Sequence, residues 1–195
     1  FIRSYIPVPD VNEKKVYQAA DLINNSKKPL MLVGQGVILS EAEKEVIALA
    51  EKADIPMAFT LMGESAIPTA HPLNKGMLGM HGNVGPNSKT NEADLLIAVG
   101  MRFSDRVTGN LKTYAKQAKI IHFDIDPSEI GKNVPVDVAV LGDAKETIKM
   151  VSDIIKPNKH TEWIESFKVQ EEKEGEKIMA SKENFFKAHW DWLGL

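Results

Sequence analysis

The chain has 195 residues, is 43% hydrophobic and 26% charged, and carries a net charge of -3 at pH 7. That is enough for one sizeable core, and it lacks the basic surplus of a nucleic-acid binder. It has no cysteine, which excludes disulfides and thiolate-held metal, and no apolar run approaches membrane-spanning length. No signal-peptide pattern opens it, so a cytoplasmic protein is the expectation. The first residue is Phe1 rather than Met, which suggests a piece of a longer protein.

Residues 1–9, with prolines at 7 and 9, read as an extended lead-in, because proline biases its predecessor away from helix. Residues 10–25 read as a helix with Val16, Ala19, Ala20 and Ile23 on one face and Asp10 or Asn12 as its cap. A buried strand over 30–33 runs into a tight loop, Gly34-Gln-Gly36. A helix over 40–53 follows, with Ser40 and Glu43 at capping-box spacing and Ala42, Val46, Leu49, Ala50 and Ala53 as its apolar face. Residues 55–61 read as a second strand, and 62–86 as a long Gly- and Pro-rich loop. A short helix is expected over 86–92, a third strand over 95–99 and a helix over 110–117. Strands over 119–124 and 137–141 come next, then a helix over 144–155. The alternation is that of an α/β fold, a doubly wound parallel sheet with helices on both faces. We divide the chain into a nucleotide-binding unit over 1–157 and a helical or linker-like tail over 158–195. In that tail Trp163 and Phe167 stand four apart, 170–177 is charge-rich, and Phe185, Phe186, Trp190 and Trp192 call for burial against something.

The strand over 95–99 is apolar throughout, suited to burial on both faces, and ends at Gly100 with Arg102 and Arg106 just beyond. Ligands of open α/β sheets sit beyond the carboxyl ends of strands. Two guanidinium groups there point to an anion, most simply a phosphate or diphosphate; the alternative is pairing with Asp105 and surface carboxylates. Gly34-Gln-Gly36 is not a dinucleotide fingerprint, because the third glycine falls at Leu39 and Thr60 stands where an acid belongs. Glu41 and Glu43 would also repel phosphate from a helix starting there. A different layout remains, with Arg102 and Arg106 on a diphosphate and Asp124 and Asp143 on ribose or adenine. Gly34 and Gly36 would permit close approach. Helix capping is the competing reading of Asp126 and Asp143. His81, between glycines, is either a ligand contact or a surface histidine. The remaining histidines have no metal-ligand spacing, and no nucleophile–base pair is readable, so no catalytic or metal residue is assigned.

Five motifs follow in order: Thr60-Leu-Met-Gly63, Leu78-Gly-Met-His-Gly82, Arg102-Phe-Ser-Asp-Arg-Val-Thr-Gly109, His122-Phe-Asp-Ile-Asp126 and Glu129-Ile-Gly-Lys-Asn133. Together they closely resemble the central domain of the acetohydroxyacid synthase (acetolactate synthase) large subunit, a thiamine-diphosphate enzyme, over roughly residues 10–155. The resemblance implies a six-stranded parallel domain that binds FAD. It places Gly34 and Gly36 along the cofactor, with Thr60, Leu61, Leu78, Gly79, Met80 and His81 in contact. Gly100, Met101, Arg102 and Ser104 form the next set, with Arg106 nearby. Asp124, Ile125, Asp143 and Ala144 hold the adenosine end. Met80 and Arg106 also match positions near the substrate channel.

The family often has three glycines at 34–36 and commonly Asp where Ser104 stands, and the tail after Met179 departs from it. The resemblance further implies a parent that condenses two pyruvates, or pyruvate and 2-ketobutyrate, in branched-chain amino-acid synthesis. Thiamine diphosphate and magnesium would bind in flanking domains, so this chain alone would be inactive. The parent would be a homo-oligomer with a regulatory subunit. The competing readings are a related thiamine-diphosphate enzyme, glyoxylate carboligase or pyruvate oxidase, and an assembly module that binds no nucleotide.

Overall fold

The computed structural model describes residues 7–193, without the side chains of 173, 177–178 and 182–193. The expectations for residues 1–6 and for the side chains of Phe185, Phe186, Trp190 and Trp192 lie outside what is described. The chain runs α1 (Glu13–Asn25), β1 (Pro29–Val33), α2 (Gln35–Leu39), α3 (Glu43–Ala53), β2 (Met57–Phe59) and a 3₁₀ turn (Leu61–Ala66). Then come β3 (Asn74–Met77), α4 (Val84–Thr90), β4 (Leu95–Val99), α5 (Asp105–Thr108) and β5 (Lys119–Asp124). It closes with β6 (Val138–Leu141), α6 (Ala144–Ile154) and α7 (Thr161–Leu193). The six strands pair parallel in the order β3-β2-β1-β4-β5-β6, the expected doubly wound sheet.

Alternation along the strands sends side chains to two cores. Met31 and Val33, Leu95, Ile97 and Val99, and Ile121 and Phe123 face α1, α3 and α6. Those helices return Val16, Ala19, Ala20 and Ile23, then Val46, Leu49, Ala50 and Ala53, then Ile148 and Val151. Leu30, Leu32, Leu96, Ala98 and Ile120 face the other way, onto Phe103, Tyr114, Trp163 and Phe167. Thus the first turns of α7 belong to the second core, where the Trp163 indole N–H donates to Pro29 O at 2.7 Å.

Four expectations are corrected. The glycine loop after β1 is helical: α2 runs from Gln35 to Leu39 with Gly34 as its N-cap. The capping box does not form. Ser40 Oγ donates back to Gly36 O at 2.7 Å, Glu41 turns the chain at φ +52°, and Ala42 caps α3. The acids at 41 and 43 therefore do not crowd the helix that follows β1. The second strand is short, because Thr60 opens the 3₁₀ turn, and the long loop contains edge strand β3. No helix forms over 110–117. The Asn110 side chain takes the Lys112 N–H, the Asn91 carboxamide takes the Ala115 N–H, and Ala115 adopts φ +43°. Side-chain bonds to backbone here outcompete the helical ladder.

Candidate functional site

The strand order reverses between β1 and β4, which leaves a crevice at their carboxyl ends. The crevice is a groove of about 550 Å³, of the size that holds small ligands. The two strand ends meet there backbone to backbone. A Cβ on Gly34 would fall 2.3 Å from Gly100 O, one on Gly36 would fall 2.6 Å from Gly100 Cα, and Gly100 itself has φ +56°. The Gly34 and Gly36 amides are engaged, donating to Val99 O and Gly100 O at 2.9 Å. These glycines therefore serve the packing of strand ends, and Gly34 lies behind the groove while Gly36 and Gly100 line it.

Arg102 and Arg106, on the segment leaving β4, are exposed groove residues with no ion pair among the described residues. Pairing with Asp105 is not what they do: Asp105 Oδ1 accepts the backbone N–H of Arg106 at 2.9 Å. Carboxylates line the same groove from the neighbouring strand ends. At the end of β5, Asp124 Oδ1 accepts from Asp126 N at 2.9 Å, while Oδ2 lies 3.5 Å from His122 Nε2. Asp143 caps α6 through Oδ1, accepting from Lys145 N at 2.9 Å and Glu146 N at 3.3 Å. Asp126 caps the next turn, and hydrogen bonds from Ser128 hold its carboxyl below the usual range. Both capping readings are realised, and both side chains also line the groove.

Thr60 and Leu61 enter the groove where the 3₁₀ turn begins, and Met101, Ser104, Ile125 and Ala144 also line it. Leu39, Leu61 and Met62 form an apolar rim, each more than half exposed. The loop over 78–81 is not on this groove. Leu78 and Gly79 are buried, Met80 and His81 are exposed, and the loop leans on α5 through Met80 N to Arg106 O at 2.8 Å. Asn87 clamps it, accepting the Gly79 N–H and donating to Gly79 O, both at 2.8 Å. Gly79 and Met80 instead border a second cavity of about 240 Å³, which shares Arg106 with the groove.

The sequence reading missed Gln35, Leu39 and Ser40, because it did not foresee α2, and Met62, Val107, Phe123, Glu129 and Gly142, while Asp126 was read only as a cap. Met62, Val107, Phe123 and Glu129 stand in the five motifs, the signal that could have found them. Among the described residues no cluster of His, Asp or Glu could hold a metal, and no helix is long and apolar enough to cross a membrane. The groove thus offers two guanidiniums with no ion pair among the described residues, carboxylate acceptors and an apolar rim. That donor set suits a phosphorylated ligand with hydroxyls at one end and a flat apolar group at the other.

The family described as "Thiamine pyrophosphate enzyme, central domain" matches residues 16–151. The chain is 47% identical over 174 residues to a probable acetolactate synthase large subunit of Methanococcus aeolicus, covering 83% of this chain and 29% of that protein. It is 51% identical over 135 residues to the probable acetolactate synthase large subunit of Methanocaldococcus jannaschii, covering 69% and 23%. With the acetolactate synthase large subunit of Corynebacterium glutamicum the identity is 44% over 169 residues, covering 84% and 27%. The chain therefore spans less than a third of the length of these curated relatives.

Proposed function

The chain belongs to the thiamine pyrophosphate enzyme family, as the central domain of such an enzyme, and on that premise we propose that it is the FAD-binding domain of an acetolactate synthase large subunit. The observation that carries the reading is the polarity of the groove. Arg102 and Arg106 face it without ion-pair partners among the described residues, and guanidinium forks match the oxygens of a diphosphate. At the end of β5, Asp124 Oδ2 has among the described residues only the 3.5 Å contact with His122, which leaves lone pairs for ribose hydroxyls. Asp143, whose Oδ1 is occupied by two amides of α6, contributes its other oxygen. Gly36 and Gly100 allow the ligand to approach the backbone, and Leu39, Leu61 and Met62 offer apolar surface to the flavin ring.

When bound, FAD would supply a redox-capable ring that in acetolactate synthases is mainly a structural element. We assign residues 1–157 to the nucleotide-binding unit and 158–195 to a helical or linker-like tail, of which Trp163 and Phe167 pack on that unit. The parent condenses two pyruvates, or pyruvate with 2-ketobutyrate, in the cytoplasm, using thiamine diphosphate and magnesium held outside this chain. It works as a homo-oligomer with a regulatory subunit. This chain alone turns over no pyruvate.

Titration of the chain with FAD, following flavin fluorescence and thermal melting together, tests the reading. Saturable binding with a rise in Tm is expected, since a ligand that binds only the folded state stabilises it. Replacing Arg102 and Arg106 with Ala should weaken binding by about 100-fold or more, a charge-assisted hydrogen bond being worth roughly 1.5–3 kcal/mol each. Unchanged affinity in the double variant would remove the site assignment. An absence of flavin binding in the assembled parent as well would favour a pure assembly module.

A further inference from the structure

One fully buried polar side chain stands beneath the groove without lining it. His122, 0% exposed on β5, packs edge-on against Phe103 with ring centroids 5.2 Å apart. Its Nε2 lies 2.9 Å from Met101 O and 3.5 Å from Asp124 Oδ2. Both neighbours are acceptors, so Nε2 carries the proton. Nδ1 has no partner among the described residues.

The Met101 carbonyl is therefore turned inward, onto the imidazole. In a trans peptide the C=O and the following N–H point opposite ways, and no peptide bond among the described residues is cis. The N–H of Arg102 thus faces away from His122, on a segment where Met101 and Arg102 line the groove. That N–H has no acceptor among the described residues. A backbone N–H and the guanidinium of the same residue are then presented together.

We propose that His122 is a positioning residue for the anionic end of the groove: by holding Met101 O it aims the Arg102 N–H at a phosphate oxygen of the bound nucleotide. The inference rests on the nucleotide reading above and adds a donor that the arginine side chains do not supply.

The test compares FAD, ADP and adenosine binding to the 195-residue chain carrying His122→Phe or His122→Gln. Phe keeps the ring and removes the donor, while Gln places an amide N–H near the position of Nε2. The expected result for His122→Phe is FAD and ADP affinity about 10-fold to 100-fold weaker, with adenosine affinity unchanged. His122→Gln should recover most of the loss. Equal FAD affinity in wild type and His122→Phe would overturn the inference alone. So would a loss that extends equally to adenosine, which is the mark of general loosening. If the wild-type chain binds neither FAD nor ADP, the nucleotide reading falls and this inference falls with it.

Should His122→Phe fail to fold, amide hydrogen exchange on wild type decides. The Arg102 amide should exchange freely without ligand and slow on saturation with FAD. Protection in the absence of FAD would overturn the proposal.

Discussion

The two faces of the sheet are built on different principles. One is covered by α1, α3 and α6, and its core is aliphatic apart from Phe123. The other is covered by α4, the irregular chain around Tyr114 and the start of α7, and its core holds Phe103, Tyr114, Trp163 and Phe167. Buried polar groups on this second face include His122, the Tyr114 hydroxyl and Lys89, whose Nζ bonds Glu92 at 2.7 Å and stands 5.2 Å from the Trp163 ring, while α3 and α6 bring Glu45 Oε2 and Thr147 to the first. The regular face relies chiefly on volume and periodicity. The irregular face needs specific partners, and the segment that carries Arg102 and Arg106 springs from it. Stability on the first face should therefore track packing, and on the second it should track satisfied hydrogen bonds.

The largest expected effects are at Trp163 and Leu49. Trp163→Ala should cost about 3–5 kcal/mol of unfolding free energy and Leu49→Ala about 2–5 kcal/mol. The conservative variants separate the faces. Leu49→Met should cost less than about 1.5 kcal/mol, whereas Trp163→Phe should cost about 1–3 kcal/mol because Pro29 O is left buried and unpaired. Denaturant melts measure all four, and equal tolerance of Trp163→Phe and Leu49→Met would erase the distinction.

A smaller effect belongs to Asp143, where α6 meets the groove. Asp143→Ala should lower stability by about 1 kcal/mol through loss of the cap, while Asp143→Asn keeps the cap. Any loss of nucleotide affinity shared by both variants would then report on the ligand rather than the helix.

The smallest effect is Tyr114→Phe, expected to be neutral or up to about 1 kcal/mol stabilising, since the hydroxyl is buried without a protein partner among the described residues. Burial pushes this phenol up from its ordinary value of 10.0. The wild type should therefore lose stability as pH rises above about 10, where the unfolded chain releases the proton more easily. Melts across that range should show a step that the Phe variant lacks. A step of equal size in both would show that Tyr114 is not its source.

The regular face was readable residue by residue. The expected face of the first helix, Val16, Ala19, Ala20 and Ile23, is its buried face, and Val46, Leu49, Ala50 and Ala53 do the same for α3. Helical periodicity carries that information because a flat sheet buries one stripe of each helix. The irregular face was not readable this way. Residues 110–117 have helix-compatible composition, yet Asn91, some 24 residues earlier, takes the Ala115 amide. No local pattern announces such a bond. The groove was partly legible: Arg102, Arg106 and Asp124 stood out as charges at strand ends, and resemblance added Thr60, Leu61 and Ala144. The placement of Gly79 and Met80 on a neighbouring cavity was not legible, because it follows from the clamp by Asn87.

Gly36, Gly100 and Gly142 line the groove, and glycine has no side-chain torsion to freeze. A ligand settling over them loses no rotamer freedom from that part of the protein, so the ordering cost of binding falls on the arginines and the rim. The same surface is hidden from alanine scanning. A methyl group on Gly36 or Gly100 would collide with the backbone of the other, and the variant would report on folding before it could report on recognition.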